Sequence, residues 1–110
     1  MMSFANTPKP PYYAVIFTSK RTEEDDKGYG QVANLMVELA SKQPGFLGVE
    51  SSRDQDGVGI TVSYWENLES IKSWKENMPH QKAQEKGKSD WYSKYITRIS
   101  KVERDYSFSI

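Results

Sequence analysis

Few residues in this chain can do chemistry, and His80 stands first among them. It is the only imidazole, so any proton transfer by a side chain titrating near neutrality runs through it. It follows Pro79 at the predicted start of a helix, where a His either faces water or aims a ring nitrogen into a site. The three tryptophans form a second group. Trp65 ends a predicted strand, Trp74 lies on the apolar stripe of a predicted helix, and Trp91 with Tyr92 leads into the last predicted strand. Rings of this size either fill a core or line an apolar pocket where a flat ligand stacks. Tyr64, beside Trp65, joins them as a candidate substrate contact. Arg98, inside the last strand, needs a carboxylate or a ligand anion if it points inward and nothing if it points outward.

Other chemistries find no foothold. With no Cys there is no thiolate nucleophile, disulfide or Cys-ligated metal. One His supplies too few ligands for a metal, and Glu66, Glu69, Glu76 and Glu85 sit among lysines as a solvated face. No metal site is expected. Gly28-Tyr-Gly30 and Gly57-Val-Gly59 are too short for phosphate loops, and no G-x-S-x-G elbow occurs. Lys+Arg and Asp+Glu balance at 15 each, and the basic residues are spread, so no nucleic-acid partner is expected. The stretch from Met1 to Pro11 does not read as a secretory signal, and no apolar run is long enough for a membrane span. The expectation is a cytoplasmic protein without a membrane partner.

The elements that must position these residues follow from periodicity. Pro8, Pro10 and Pro11 keep residues 1–11 irregular. Tyr12 to Ser19, rich in β-branched and aromatic residues, predicts a strand whose near-continuous apolarity suits cover on both faces. Tyr29, Val32, Ala33, Met36, Leu39 and Ala40 make one helical stripe, which Pro44-Gly45 stops. Phe46 to Arg53 and Val58 to Trp65 predict a hairpin around Asp54–Gly57, with Trp65 on the face opposite Val58, Ile60, Val62 and Tyr64. Asn67 is a good N-cap for a helix whose stripe is Leu68, Ile71, Trp74 and Met78. Pro79 interrupts that stripe, and a further helical piece is predicted from His80 to Lys88. Trp91 to Val102 carries the last strand. The order β-α-β-β-α-β is the ferredoxin-like α+β pattern, a four-stranded antiparallel sheet with helices on one face.

Leu, Ile, Val and Phe together number only 21 of 110 residues, while Phe, Trp and Tyr number 14. That aliphatic count borders on disorder, but the zero net charge and the many rings argue for a folded domain with a thin core. Helices on one sheet face leave the other bare. Its residues still read as apolar, so a second copy of the sheet is the economical cover and a homodimer is expected.

In residues 12–106 the chain resembles the antibiotic biosynthesis monooxygenase family of dimeric α/β barrels. The resemblance rests on Pro44-Gly-Phe-Leu-Gly48, Ser63-Tyr-Trp-Glu-Asn67, Ile71-Lys-Ser-Trp74, Pro79-His80, Trp91-Tyr92, Tyr95 and Val102-Glu-Arg-Asp-Tyr106. Residues 107–110 form a tail. The resemblance implies a homodimer whose sheets close a barrel, with a pocket between sheet and helices in each subunit. It also implies a monooxygenase that needs neither metal nor flavin, oxidising a small phenolic or quinol-type aromatic molecule with O₂. On this reading His80 is the base or polar anchor, and Arg98 is the candidate partner for an oxyanion. Trp65 and Trp74 are the walls, with Tyr64, Trp91 and Tyr92 as further substrate contacts. A haem-degrading branch of the superfamily carries an Asn on the first strand and a His ten residues after the helical Trp. Here Tyr12 to Ser19 has no Asn and the tenth position is Gln84, so the chain departs from that branch. The rival from another class is a non-catalytic small-molecule binding or stress-response protein built on the same pocket.

Overall fold

The computed structural model describes residues 3–24 and 26–110, with Met78 described by its backbone alone. The elements run β1 (Tyr12–Arg21), α1 (Asp26–Ser41), β2 (Phe46–Arg53), β3 (Val58–Trp65), α2 (Leu68–Lys75), α3 (Met78–Lys86), a single π-helical turn (Gly87–Trp91) and β4 (Tyr92–Val102). The four strands form one antiparallel sheet in the order β2-β3-β1-β4. This is the ferredoxin-like α+β fold that the periodicity predicts.

Local chemistry sets the boundaries. The α1 stripe of Tyr29, Val32, Ala33, Met36, Leu39 and Ala40 is buried or half-buried throughout. The helix begins three residues before Tyr29, with Asp26 in its first turn, where a negative charge suits the exposed N–H groups. It ends before Gly45, whose φ of +84° lies in the left-handed region; a Cβ there would strike Ser70 Oγ. In the β2–β3 turn, Asp54 Oδ1 accepts from the Asp56 and Val58 amides at 2.9 and 3.0 Å, and Gly57 takes φ +87°. Asn67 caps α2, its Oδ1 accepting from the Ser70 amide at 2.8 Å.

Three expectations change. Pro79 opens α3 and does not delay it, because a first-turn Pro lacks a donor that would be unpaired anyway. Leu68 lies outside the α2 stripe at 55 % exposed, while Ile71 is 7 % exposed; Met78, the last predicted member of that stripe, has a side chain outside the described residues. Trp91 belongs to the π turn, and β4 begins one residue later.

Register sorts the strand residues into two faces. On the helix-facing side the rows are Phe46–Trp65–Tyr13–Lys101, then Val49–Ser63–Val15–Ile99, then Ser51–Thr61–Phe17–Thr97. On the opposite side lie Tyr12, Ala14, Ile16 and Thr18 of β1, Val58, Ile60, Val62 and Tyr64 of β3, and Ile96, Arg98, Ser100 and Val102 of β4. The core gathers on the first side: Ala40, Trp65 and Ile71 are buried, with Tyr13, Val15, Phe46 and Trp74 packed against them. Contacts run from α1 to β2 and from α2 to β3. The inner side of β4 is left accessible, with Ile99 54 % exposed although it faces the helices' side of the sheet.

Trp65, at 0 % exposed, is the largest fully buried side chain. Trp65→Ala is expected to cost about 3–5 kcal/mol in urea unfolding, whereas Leu68→Ala should stay within about 0.5 kcal/mol. Equal costs for the two would contradict the placement of the core.

Candidate functional site

Four rings stand in a row on the helix-facing side. Phe46 meets Trp65 edge-on at 5.4 Å between centroids. Trp65 stacks on Trp74 at 6.3 Å with planes 26° apart, and Trp74 stacks on His80 at 4.4 Å and 11°. The indole N–H of Trp65 donates to Ser63 Oγ at 2.9 Å, which satisfies the polar edge of a buried ring. Strand β3 thus holds Trp65, helix α2 holds Trp74, and the break between α2 and α3 turns the chain so that His80 comes back over Trp74.

Two contacts fix the His80 ring. Its backbone N–H donates to Asn77 Oδ1 at 3.1 Å, capping α3, and its Nδ1 lies 3.0 Å from the Trp74 carbonyl oxygen. A carbonyl only accepts, so Nδ1 carries the proton of the neutral ring and Nε2 keeps its lone pair. Nε2 bonds to no described residue, yet no buried side-chain nitrogen or oxygen among them lacks a partner. Nε2 therefore lies at the accessible surface. Burial holds the His80 pKa below the ordinary histidine value, partly offset by the bond to the Trp74 carbonyl. The arrangement presents a neutral, oriented base stacked on the Trp74 indole.

The remaining expected site residues are not gathered here. Tyr64 and Arg98 lie on the opposite face of the sheet from Trp65, because Tyr64 pairs with Ala14 and Arg98 with Ile16. The Tyr64 hydroxyl donates to Glu50 Oε1 at 2.6 Å, and burial together with that carboxylate pushes its pKa up to about 12. Trp91 and Tyr92 sit where the π turn meets β4, both edge-on to Tyr29 at 5.6 and 5.7 Å. The Tyr92 hydroxyl donates to that of Tyr29 at 3.1 Å, and burial first, then this bond, raises its pKa.

Sequence reading missed two features. Lys101, paired with Tyr13, is the cation in the row that carries Trp65. Only the β1–β4 register reveals this, since Arg98 and Lys101 are both charged residues of one strand. The second feature is a polar clasp around Tyr29. Arg53 donates to Ser19 Oγ at 2.8 Å and Gly57 O at 2.5 Å, Arg21 donates to Trp91 O and Asp26 Oδ1 at 2.7 Å each, and the guanidinium carbons lie 5.8 and 4.0 Å from the Tyr29 ring centre. These donors tie α1 to the β2–β3 turn and the π turn, so the clasp is a structural joint. Open surface depressions of about 360 Å³, lined by Lys88 and Tyr92–Tyr95, and about 340 Å³, beside Arg21 and Arg53, lie away from His80. No group of three or more potential metal ligands occurs among the described residues.

Since His80 is the only imidazole, its depressed pKa has a readable effect on stability. The unfolded chain binds the proton more readily, so stability is full above about pH 6.5 and falls as pH drops through the folded-state pKa. In NMR titration the imidazole signal is expected to titrate below about 6.5, and His80→Asn should flatten the fall in stability that begins below about pH 6.5. A titration at or above 6.5 would contradict the buried, neutral ring.

Comparisons with known proteins agree with this fold. Over residues 12–86 the sequence matches the antibiotic biosynthesis monooxygenase family. It is 55 % identical over 109 residues to the uncharacterized protein YqjZ of Bacillus subtilis, covering 98 % of this chain and 95 % of that one. Among solved structures, a mutant of SnoaB, a cofactor-independent oxygenase from Streptomyces nogalater, superposes with a TM-score of 0.74 at 8 % identity, covering 86 % of this chain and 95 % of that one. A conserved protein from Methanosarcina mazei superposes with a TM-score of 0.71 at 10 % identity, covering 86 % and 94 %. At such identities the structural likeness concerns the fold, whereas the sequence match spans most of the domain from β1 to the end of α3. The chain belongs to the antibiotic biosynthesis monooxygenase family.

Proposed function

We propose that this protein is a homodimeric, cytoplasmic monooxygenase that oxidises a phenolic or quinol-type aromatic molecule with O₂, without metal or flavin. The observation that carries the reading is the His80 ring, locked with its proton on Nδ1 and its Nε2 lone pair accessible, at the end of the Trp65–Trp74 stack. No helix among the described residues is long and apolar enough to cross a membrane. The structurally similar SnoaB, a cofactor-independent oxygenase, supports a reaction driven by side chains alone.

The chemistry follows from what such a site supplies. An electron-rich phenol sits at the accessible edge of the ring stack and gives its O–H proton to His80 Nε2. The phenolate passes one electron to O₂, and the radical pair combines at a ring carbon to give a peroxide. Breakdown leaves one oxygen as a new carbonyl, and the other departs as water with two hydrogens from the substrate. His80 returns its proton to the departing oxygen. Lys101, two strands from Trp65 on the same face, is the cation assigned to the oxyanion in this scheme. Arg98, on the other face, takes no part within one subunit.

Oxygen uptake with a panel of dihydroxyaromatics tests the proposal. His80→Ala should lower turnover by about 10²–10⁴-fold, the range typical of general acid–base groups. Lys101→Met is expected to raise KM more than it lowers kcat. The rate should rise with pH through the depressed His80 pKa, since the neutral ring is the active form. Ligand binding without oxygen uptake from any member of the panel would favour a non-catalytic binding protein.

A further inference from the structure

Residues 106–110 alternate Tyr106, Phe108 and Ile110 with two serines. In an extended chain this puts the apolar side chains on one edge and the hydroxyls on the other, the pattern of a half-buried strand. Nothing among the described residues buries it: Tyr106, Phe108 and Ile110 are 86 %, 88 % and 116 % exposed. The segment leaves the domain at Asp105, which accepts a 2.7 Å bond from the Tyr12 hydroxyl at the rim of the helix-free sheet face. That face also exposes large apolar side chains, with Val58, Ile60 and Ile96 at 41 %, 48 % and 43 %.

We infer that residues 106–110 are an exchanged arm, docking Tyr106, Phe108 and Ile110 of one copy onto the helix-free sheet face of a second copy. The inference rests on the dimer proposed above and says what completes it. Four strands about 4.8 Å apart and about 26 Å long present at most roughly 500 Å² per copy, since the chain's own N-terminal segment covers part of the face. Two such faces together bury only about 1,000 Å², below the ~1,600 Å² of a standard stable complex. Two arms, each adding two aromatic rings of about 150–250 Å² and an isoleucine, bring the total into that class.

Each copy's own N-terminal segment occupies the other part of the face. The Ala5 amide donates to Glu50 Oε2 at 2.9 Å, and Ala5 Cβ lies so close to Gly48 that a Cβ there would stand 2.8 Å away. The uncovered part is basic. Lys20, Lys94 and Arg98 lie on this side of the sheet, and Arg98 makes no ion pair among the described residues. The root of the arm, Glu103-Arg104-Asp105, carries a net negative charge that complements this basic area. Because every copy brings both the bare face and the arm, a two-fold exchange uses both and closes the assembly.

The experiment compares the dissociation constants of the unaltered chain and two variants by analytical ultracentrifugation. One variant combines Tyr106→Ser, Phe108→Ser and Ile110→Ser, all at solvent-exposed positions; the other is Ile60→Lys on the sheet face. The unaltered chain is expected to dimerise, and each variant to weaken association at least about 100-fold with an unchanged far-UV spectrum. A triple variant that dimerises as tightly as the unaltered chain overturns the arm and leaves the dimer standing, all the more if Ile60→Lys dissociates. An unaltered chain that is monomeric at micromolar concentration overturns both. Hydrogen exchange of the unaltered protein gives an independent reading. Amides of residues 106–110 should be protected at dimer concentrations and free on dilution, and an absence of protection at both concentrations overturns the arm.

Discussion

The unbroken two-residue period of the central β1–β3 pair, locked by the Tyr13–Trp65 pairing, is the constraint on which the rest depends. A strand residue has one face or the other, and a slip of a single position would exchange every partner. With Tyr13 opposite Trp65, the large indole lies under the helices, and Phe46 and Trp74 have a flat surface to meet. The same register carries Tyr64 and Arg98 to the far side and brings Lys101 to the near side. The makeup of the candidate site is thus a consequence of register more than of which residues happen to be polar.

Helix breaking then does work that a continuous helix would not. A straight extension of α2 would carry His80 onward along the helix axis, away from Trp74. The side chains of Asn67 and Asn77 each cap a new helix start, and Pro79 suits the first turn of the second. The resulting corner lays the imidazole flat on Trp74, with Nδ1 against the Trp74 carbonyl. Orientation and tautomer come from one backbone acceptor, and the depressed pKa comes from the burial that stacking imposes. A base that is neutral, fixed and accessible at one nitrogen needs no carboxylate partner to hold it.

The scarcity of aliphatic residues has a structural counterpart. Within one chain the fully buried core is small, and rings fill it: Trp65 and Trp91 are among its largest members. Polar joints take over where a larger core would have packed. The Arg21 and Arg53 guanidiniums around Tyr29 bind three segments, and Tyr12 with Asp105 and Thr7 ties both ends of the domain to the sheet rim. Sheet residues such as Ile60 and Ile96 remain exposed on the face without helices.

Sequence alone determined the element order, the hairpin limits at Phe46–Arg53 and Val58–Trp65, the Asn67 cap and the inward position of Trp65. These are local properties: period two or near four, turn chemistry, and the donor missing from proline. It also singled out His80, Trp65 and Trp74, because lone titratable groups and large rings are conspicuous in a chain short of both His and Leu. Only the tertiary structure decided which of these residues meet. The β1–β4 register separated Arg98 from Lys101, the angle between α2 and α3 set His80 on Trp74, and the closing π turn drew Trp91 and Tyr92 to Tyr29. Each depends on pairings between residues far apart in the chain, and local periodicity carries no information about how one element is offset against another.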